Sequence, residues 1–303
     1  MGILAVGSVA FDTVRTPFGE ASEVLGGSAT YFSVAASFFT DVSLVAVVGE
    51  DFPREQVAFL ESRSIDLRGL QRRPGRTFRW RGEYGYDLNE ARTLETQLNV
   101  FGAFEPTLPE AYRDLEVVFL GNIDPELQRH VLRQVRRPRL VAADTMNFWI
   151  TGKPDQLRAA LKGVDILLIN EAETRQLAGE ANLVAAARTI LTWGPRALVI
   201  KRGEYGALLF NDGRWFAAPA LPLEQVCDPT GAGDSFAGGF VGSLANTMDF
   251  SEVSLRRGII LGSVMASFAV EDFSLGRLRR LTLAEVRARY GEFKRLTHFE
   301  DLP

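Results

Sequence analysis

The 303-residue sequence holds a single cysteine, Cys227, so no disulfide can form within the chain and a reducing compartment fits. Only two histidines occur, His130 and His298. With one thiol they make a poor basis for a His/Cys zinc centre. Lysine is scarce: Lys153, Lys162, Lys201 and Lys294 are the whole set. Neither charge dominates. Lys and Arg total 34, Asp and Glu 38, and the net charge of −4 argues against a general nucleic-acid surface. The longest nearly apolar run, residues 258–270, is too short to span a bilayer and reads as a buried helix. The N-terminal stretch is apolar but has no basic lead, and Asp12 soon interrupts it. A soluble cytoplasmic protein without nucleic-acid or membrane partners is the expectation. Three motifs are also missing. There is no Gly-x-x-x-x-Gly-Lys-Ser/Thr, no Gly-x-Gly-x-x-Gly after the first strand and no Gly-x-Ser-x-Gly. Their absence excludes a P-loop enzyme and disfavours a dinucleotide oxidoreductase and a nucleophile-elbow hydrolase.

What is present is globular: 46% apolar and 24% charged residues, enough for one large domain or two smaller ones. Continuous apolar runs at 3–7, 42–48, 117–121, 140–144, 166–170 and 197–201 read as parallel strands buried on both faces. Helical stretches lie between them at 28–39, 125–135, 155–161 and 183–193. Strand-helix repetition predicts an α/β sandwich, with ligands beyond the carboxyl ends of the strands. Residues 67–104 break the rhythm. Their β-rich pieces, 77–86 and 96–104, predict a small antiparallel sheet standing off the body. Asn211-Asp212-Gly213 between two β runs predicts a hairpin.

The most informative segment is Asp228-Pro229-Thr230-Gly231-Ala232-Gly233-Asp234-Ser235-Phe236, which opens a helix running to about Leu244. Small residues let a ligand approach the backbone. The first amides of a helix lack internal partners, so Gly231, Ala232 and Gly233 can aim N–H groups at a phosphate. Asp234 is out of place beside an anion unless it takes the proton of a hydroxyl that attacks the phosphate. From the residues alone, a helix-capping role and a general-base role stand level.

That segment resembles the signature of the ribokinase-like (PfkB) carbohydrate and nucleoside kinase family, and the likeness extends over nearly the whole chain. It implies a ribokinase-like three-layer α/β/α sandwich with a mainly parallel sheet and a small β-rich lid. It also implies ATP- and Mg²⁺-dependent phosphorylation of a small-molecule hydroxyl. Asp234 would be the base, with the amides of Gly231, Ala232 and Gly233 as the anion hole. Gly26-Gly27 resembles the family diglycine against the substrate, and Asp12 the carboxylate that grips substrate hydroxyls. Asn170 and Glu173 match an Asn-x-x-Glu motif that holds phosphates and Mg²⁺, the latter through water. Lys201, Gly203 and Gly206 match the turn near the nucleotide, and Asn147 a segment near the substrate. Asp51 is expected to be structural. Tyr31 stands where the family usually has asparagine, implying an acceptor different from ribose. Residues 265–274 lack the usual Gly-Ala pair, so adenine contacts stay unassigned; Asp228 and Thr230 retain half of a monovalent-cation pattern that would take K⁺.

By the same resemblance, 1–66 and 105–303 form the core and 67–104 the lid, with further lid strands from about 10–25. Lids of this family often pair, so a homodimer is plausible. Arg79, Trp80, Arg81, Tyr84, Tyr86, Asn99 and Phe101 are lid candidates for substrate contact, with packing against the body the plainer reading of each aromatic. Arg79 or Arg81 would suit a phosphorylated acceptor. A sugar or polyol is the first reading of the acceptor and a nucleoside the second. A binding protein without catalysis, on the same fold, is the rival of another class.

Overall fold

The computed structural model describes residues 2–300. Its strands are β1 (Gly2–Val6), β2 (Ala10–Thr16), β3 (Gly19–Gly26), β4 (Asp41–Val48), β5 (Ile65–Arg72), β6 (Phe78–Tyr84) and β7 (Ala91–Gln97). They continue as β8 (Val117–Leu120), β9 (Leu140–Asp144), β10 (Ile166–Asn170), β11 (Ala197–Lys201), β12 (Ala207–Asn211) and β13 (Arg214–Ala218). The helices are α1 (Ser28–Ala36), α2 (Arg54–Ser62), α3 (Pro125–Leu132), α4 (Asn147–Gly152), α5 (Pro154–Leu161) and α6 (Glu171–Ala178). They end with α7 (Leu183–Leu191), α8 (Ala232–Thr247), α9 (Glu252–Ala269), α10 (Gly276–Arg280) and α11 (Leu283–Leu296).

Nine strands form one sheet in the order β13-β12-β11-β10-β9-β8-β1-β4-β5. All are parallel except the β12–β13 hairpin, which adds antiparallel to β11. Successive residues point to opposite faces. Ile3 and Ala5 enter one apolar core while Leu4 and Val6 enter another; Ile166 and Leu168 divide from Leu167 and Ile169 in the same way. That double burial is why these strands are apolar without alternation. The chain reverses direction across the sheet between β8 and β1, and the site lies beyond the strand ends there.

Four strands, β3-β2-β6-β7, form the lid. The two hairpins are antiparallel as expected, but they join through β2 and β6, which run parallel, so the lid is mixed. The expected boundary at residue 67 falls inside β5, which pairs parallel with β4 on the main sheet. An edge strand packed on one side carries polar residues, and Ile65–Arg72 reads like a detached piece for that reason. The expected 96–104 strand is also corrected. β7 ends at Gln97, and residues 99–103 form a 3₁₀ turn. Val100, Phe101 and Phe104 pack that turn against the body core. The lid is therefore built from β2, β3, β6 and β7, not from 67–104 as a block.

Helix α8 lies between α1 and α9. A Cβ on Gly238 would come within 2.4 Å of the Phe32 carbonyl oxygen, and one on Gly239 within 2.6 Å of that of Leu261. No larger side chain fits either contact without displacing a helix.

Candidate active site

The acceptor end is built where β1 gives way to the lid. Gly27 caps α1 with φ 95°, a conformation that favours glycine. Ser8 holds this turn by accepting the Ser28 amide at its hydroxyl (3.0 Å) and the Ala29 amide at its carbonyl (3.0 Å). Asp12, on β2, is 4% exposed. Its carboxylate lies across Gly26, where a Cβ would meet Oδ2 at 1.9 Å. Burial pushes the Asp12 carboxyl up to about 7; the Gly27 amide opposes this, and Asp228 and Asp234 add to it.

The donor end is built on α8. Gly231, at φ 73°, precedes the first turn. The amide of Ala232 donates to the Pro229 carbonyl at 3.1 Å. Ala232 was expected to face an anion; the tight turn claims its N–H instead. The amides of Gly231, Gly233 and Asp234 find no acceptor among the described residues. Lys201 Nζ donates to Asp144 Oδ2 at 2.8 Å. The same ammonium lies 3.0 Å from where a Gly233 Cβ would be, so it stands against the loop. Burial raises Asp234 to about 7, Asp144 adds to it and Lys201 opposes it. Burial alone would lower Lys201, but Asp144, Glu173 and Asp234 together hold it above its usual value.

Asn170 and Glu173 form a reciprocal capping box at the start of α6. Glu173 Oε2 accepts the Asn170 amide at 2.9 Å, while its other oxygen takes no hydrogen bond among the described residues. Burial and then Asp144 raise Glu173 to about 7, against Lys201 and the Asn170 amide. That free oxygen is the hard donor that Mg²⁺ or one of its waters needs. Asp228 is 1% exposed and accepts the amides of Thr230 (2.8 Å) and Ser274 (3.3 Å). No Lys or Arg pairs with it among the described residues, so its charge suits a nearby monovalent cation.

Tyr31 reaches the site from α1. Its ring lies against Gly231, where a Cβ would meet the ring at 2.3 Å. Its buried hydroxyl has no partner, and burial with Asp12, Asp228, Tyr84 and Asp234 around it keeps the phenol protonated. The Thr145 hydroxyl, beside Asp144, is likewise buried without a partner.

Asp12, Gly26, Gly27, Tyr31, Thr230, Gly231, Gly233, Asp234, Lys201 and Glu173 thus converge. Asn147 is exposed at the first residue of α4, two residues beyond Thr145, and its side chain makes no hydrogen bond among the described residues. Gly206 is accounted for by packing, since a Cβ there would strike the Ala218 carbonyl oxygen at 2.0 Å. Arg79 is committed to Glu23 (2.8 Å) and Asp51 (2.9 Å), so it is no free phosphate ligand. Asp51 is structural as expected, since it also accepts the Thr77 amide and hydroxyl. Phe101 packs with Phe78 and Phe104, and Asn99 donates to the Thr77 carbonyl.

Sequence reasoning missed three contacts. The Asp144–Lys201 pair joins two strand ends, and an acid closing an apolar strand was its only signal. The Tyr84 hydroxyl bonds the Thr230 hydroxyl at 3.3 Å, tying lid to loop. Asn89, in the lid turn, reaches the backbone of Gly203, where a Cβ would meet its Oδ1 at 2.1 Å.

Residues 3–277 match the pfkB family of carbohydrate kinases. The chain is 34% identical over 251 residues to the cytidine kinase of Thermococcus kodakarensis, covering 80% of this chain and 87% of that one. Among solved structures, the Methanocaldococcus jannaschii nucleoside kinase has a TM-score of 0.78 at 21% identity, covering 96% of this chain and 98% of its own. The Burkholderia thailandensis nucleoside kinase in complex with inosine has a TM-score of 0.76 at 18% identity, with the same coverages. These structures share the ribokinase-like fold: a large, mainly parallel sheet with helices on both faces and a small sheet beside it. No helix among the described residues is long and apolar enough to cross a membrane.

Proposed function

The chain belongs to the pfkB family of carbohydrate kinases, phosphotransferases acting on an alcohol group, and from that premise we propose that it transfers the γ-phosphoryl group of ATP to a hydroxyl of a nucleoside. The observation that carries the chemistry is the placement of Asp234. It sits in the first turn of α8, beside free backbone amides and next to an ammonium that lies against the same loop.

The acceptor lies between Asp12 and Asp234. Asp12 and the Gly26-Gly27 backbone hold its sugar, the carboxylate taking hydrogen bonds from sugar hydroxyls. Asp234 accepts the proton of the attacking hydroxyl as the new O–P bond forms. The bond from the γ-phosphorus to the bridging oxygen breaks, and ADP carries away that electron pair. The amides of Gly231, Gly233 and Asp234, with Lys201, meet the charge that develops on the transferred group. Asn170, Gly203 and Thr230 border the ATP. Mg²⁺, which Glu173 would hold through water, supplies neutralisation of phosphate charge when bound. Asp228 would balance a K⁺ beside the loop.

A sugar or polyol was the first reading of the acceptor. The extensive likeness to a cytidine kinase reverses that order. Tyr31 suits any polar acceptor: its hydroxyl is buried without a partner, and a bound acceptor can supply one. The test is ADP release from ATP and Mg²⁺ with cytidine, uridine, adenosine, inosine, ribose, sugar phosphates and polyols, with Asp234→Asn as control. Nucleoside-dependent turnover that disappears in the variant is expected. Turnover with sugars or polyols alone would reject the nucleoside reading, and turnover surviving in Asp234→Asn would reject the base.

A further inference from the structure

Trp80 is a large lid aromatic that neither the core nor the mechanism uses and that, unlike the exposed Phe18 and Tyr86, is half-buried. It belongs to none of the three apolar cores. It is half-buried and makes no ring-to-ring or cation contact among the described residues.

Its direction follows from register. β2 and β6 pair in parallel without a shift, with Asp12 opposite Trp80 and Val14 opposite Gly82. Residues opposite each other share a face, and so do residues two apart along a strand. Asp12, Thr16, Trp80, Gly82 and Tyr84 therefore line one face. That face looks at the body: the Thr16 hydroxyl donates to the Cys227 carbonyl at 2.9 Å, and Tyr84 bonds Thr230. Trp80 is thus the neighbour of Asp12, one strand spacing away, about 4.8 Å.

Its posture is fixed as well. The indole lies flat on Gly82, where a Cβ would meet its Cη2 and Cζ2 at 2.3 Å. Only glycine leaves that room. The indole Nε1 donates to the Thr93 hydroxyl at 3.2 Å, which sets the rotation of the ring. One ring face is pressed on backbone and the polar edge is satisfied within the lid. The other face has no ring against it.

We propose that the indole of Trp80, laid flat on Gly82 beside Asp12, is the stacking platform for the acceptor's nucleobase and the residue that sets preference for a nucleoside over a free sugar. This rests on the nucleoside reading above and deepens it. Asp12 grips the sugar hydroxyls; the substituent on the sugar then runs along the adjacent strand, over the ring. Stacking accepts any flat base, so the platform selects the class of acceptor, not one base.

The test compares wild type with Trp80→Ala, Trp80→Phe and Gly82→Ala, using cytidine, inosine and ribose as probes. Trp80→Ala should raise KM for both nucleosides about 5- to 150-fold, the range of one lost base–aromatic stack. KM for ATP should stay put, and kcat should change little. Trp80→Phe keeps a stacking face and should recover most of the loss. Gly82→Ala keeps the tryptophan but displaces its ring, and should repeat the selective loss. Cytidine should quench the wild-type tryptophan fluorescence; in Trp80→Phe, where Trp149, Trp193 and Trp215 remain, that quench should vanish. An unchanged nucleoside KM in Trp80→Ala, or an equal rise for ribose, overturns the platform and leaves the nucleoside reading standing. A wild type that turns over sugars and no nucleoside fails the nucleoside reading itself, and the platform with it. Melting curves of each variant separate these results from loss of fold.

Discussion

Asp12 and Asp234 frame the site from opposite ends, Asp12 buried and Asp234 half-buried, both with carboxyls raised to about 7. Their partners differ. Asp234 has Lys201 beside it, whereas Asp12 has a backbone amide and no cation. The donor end brings its own positive charge, which offsets part of the cost of its carboxylate before any ligand arrives. The acceptor end depends on the ligand: hydroxyls that donate to Asp12 offset the cost of its burial. One end is prepared to stabilise charge, and the other is prepared to recognise donors.

The largest effect that tests this contrast is at the base. Asp234→Asn should lower kcat by about 10²- to 10⁴-fold with little change in acceptor KM, measured by ADP release at saturating ATP. A rise in KM with kcat intact would make Asp234 a binding residue and erase the difference between the two ends. Next is Asp12→Asn. Loss of hydrogen bonds to a charged group should lower kcat/KM for the acceptor about 10- to 100-fold and leave the KM for ATP unchanged. A parallel rise in the KM for ATP would show that the two ends are not separate.

A smaller effect lies in pH. The ionised forms of Asp234 and Asp12 are both needed, so kcat/KM should fall below pH about 7, approaching about a hundredfold per unit once both groups are protonated. Asp144, faced by Lys201, Glu173 and Asp234, raises the last two. Asp144→Asn should therefore move the acid limb to lower pH, whereas a purely structural Asp144 would leave it in place. The smallest effect is on stability. Asp12 is raised from 3.8 to about 7, so the folded state prefers its protonated form. That preference favours folding fully below pH about 4 and is lost as pH rises through about 7. Asp12→Asn should melt a few degrees above wild type at pH 8, the gap closing towards pH 4. A variant that melts lower at pH 8 would mean that Asp12 has a favourable partner in the free protein.

The sequence made the same division visible unevenly. Strands such as Leu140–Asp144 and Ile166–Asn170 declare themselves because burial on both faces leaves no polar position. β7, Ala91–Gln97, is exposed along almost its whole length, so nothing in its composition distinguishes it from a loop. Its pairing with β6 makes it a strand. In the site, Asp234 and its glycines are contiguous and therefore legible. Lys201 and Asp144 are 57 residues apart, and Tyr84 and Thr230 are 146 apart. Such partners are set by how the sheet is wound, which single residues do not announce.

The glycines of α8 have a consequence for where the enzyme can yield. Backbone meets backbone at Gly238 and Gly239, so the helix that carries Asp234 has no slack against α1 and α9. The base is in effect bolted to the scaffold, while the lid is rooted through Phe11 and Leu25 in the main core and tied at its far end by polar contacts such as Tyr84–Thr230. A methyl group added at Gly238, a full helical turn from any ligand, would act like a misalignment of the base itself.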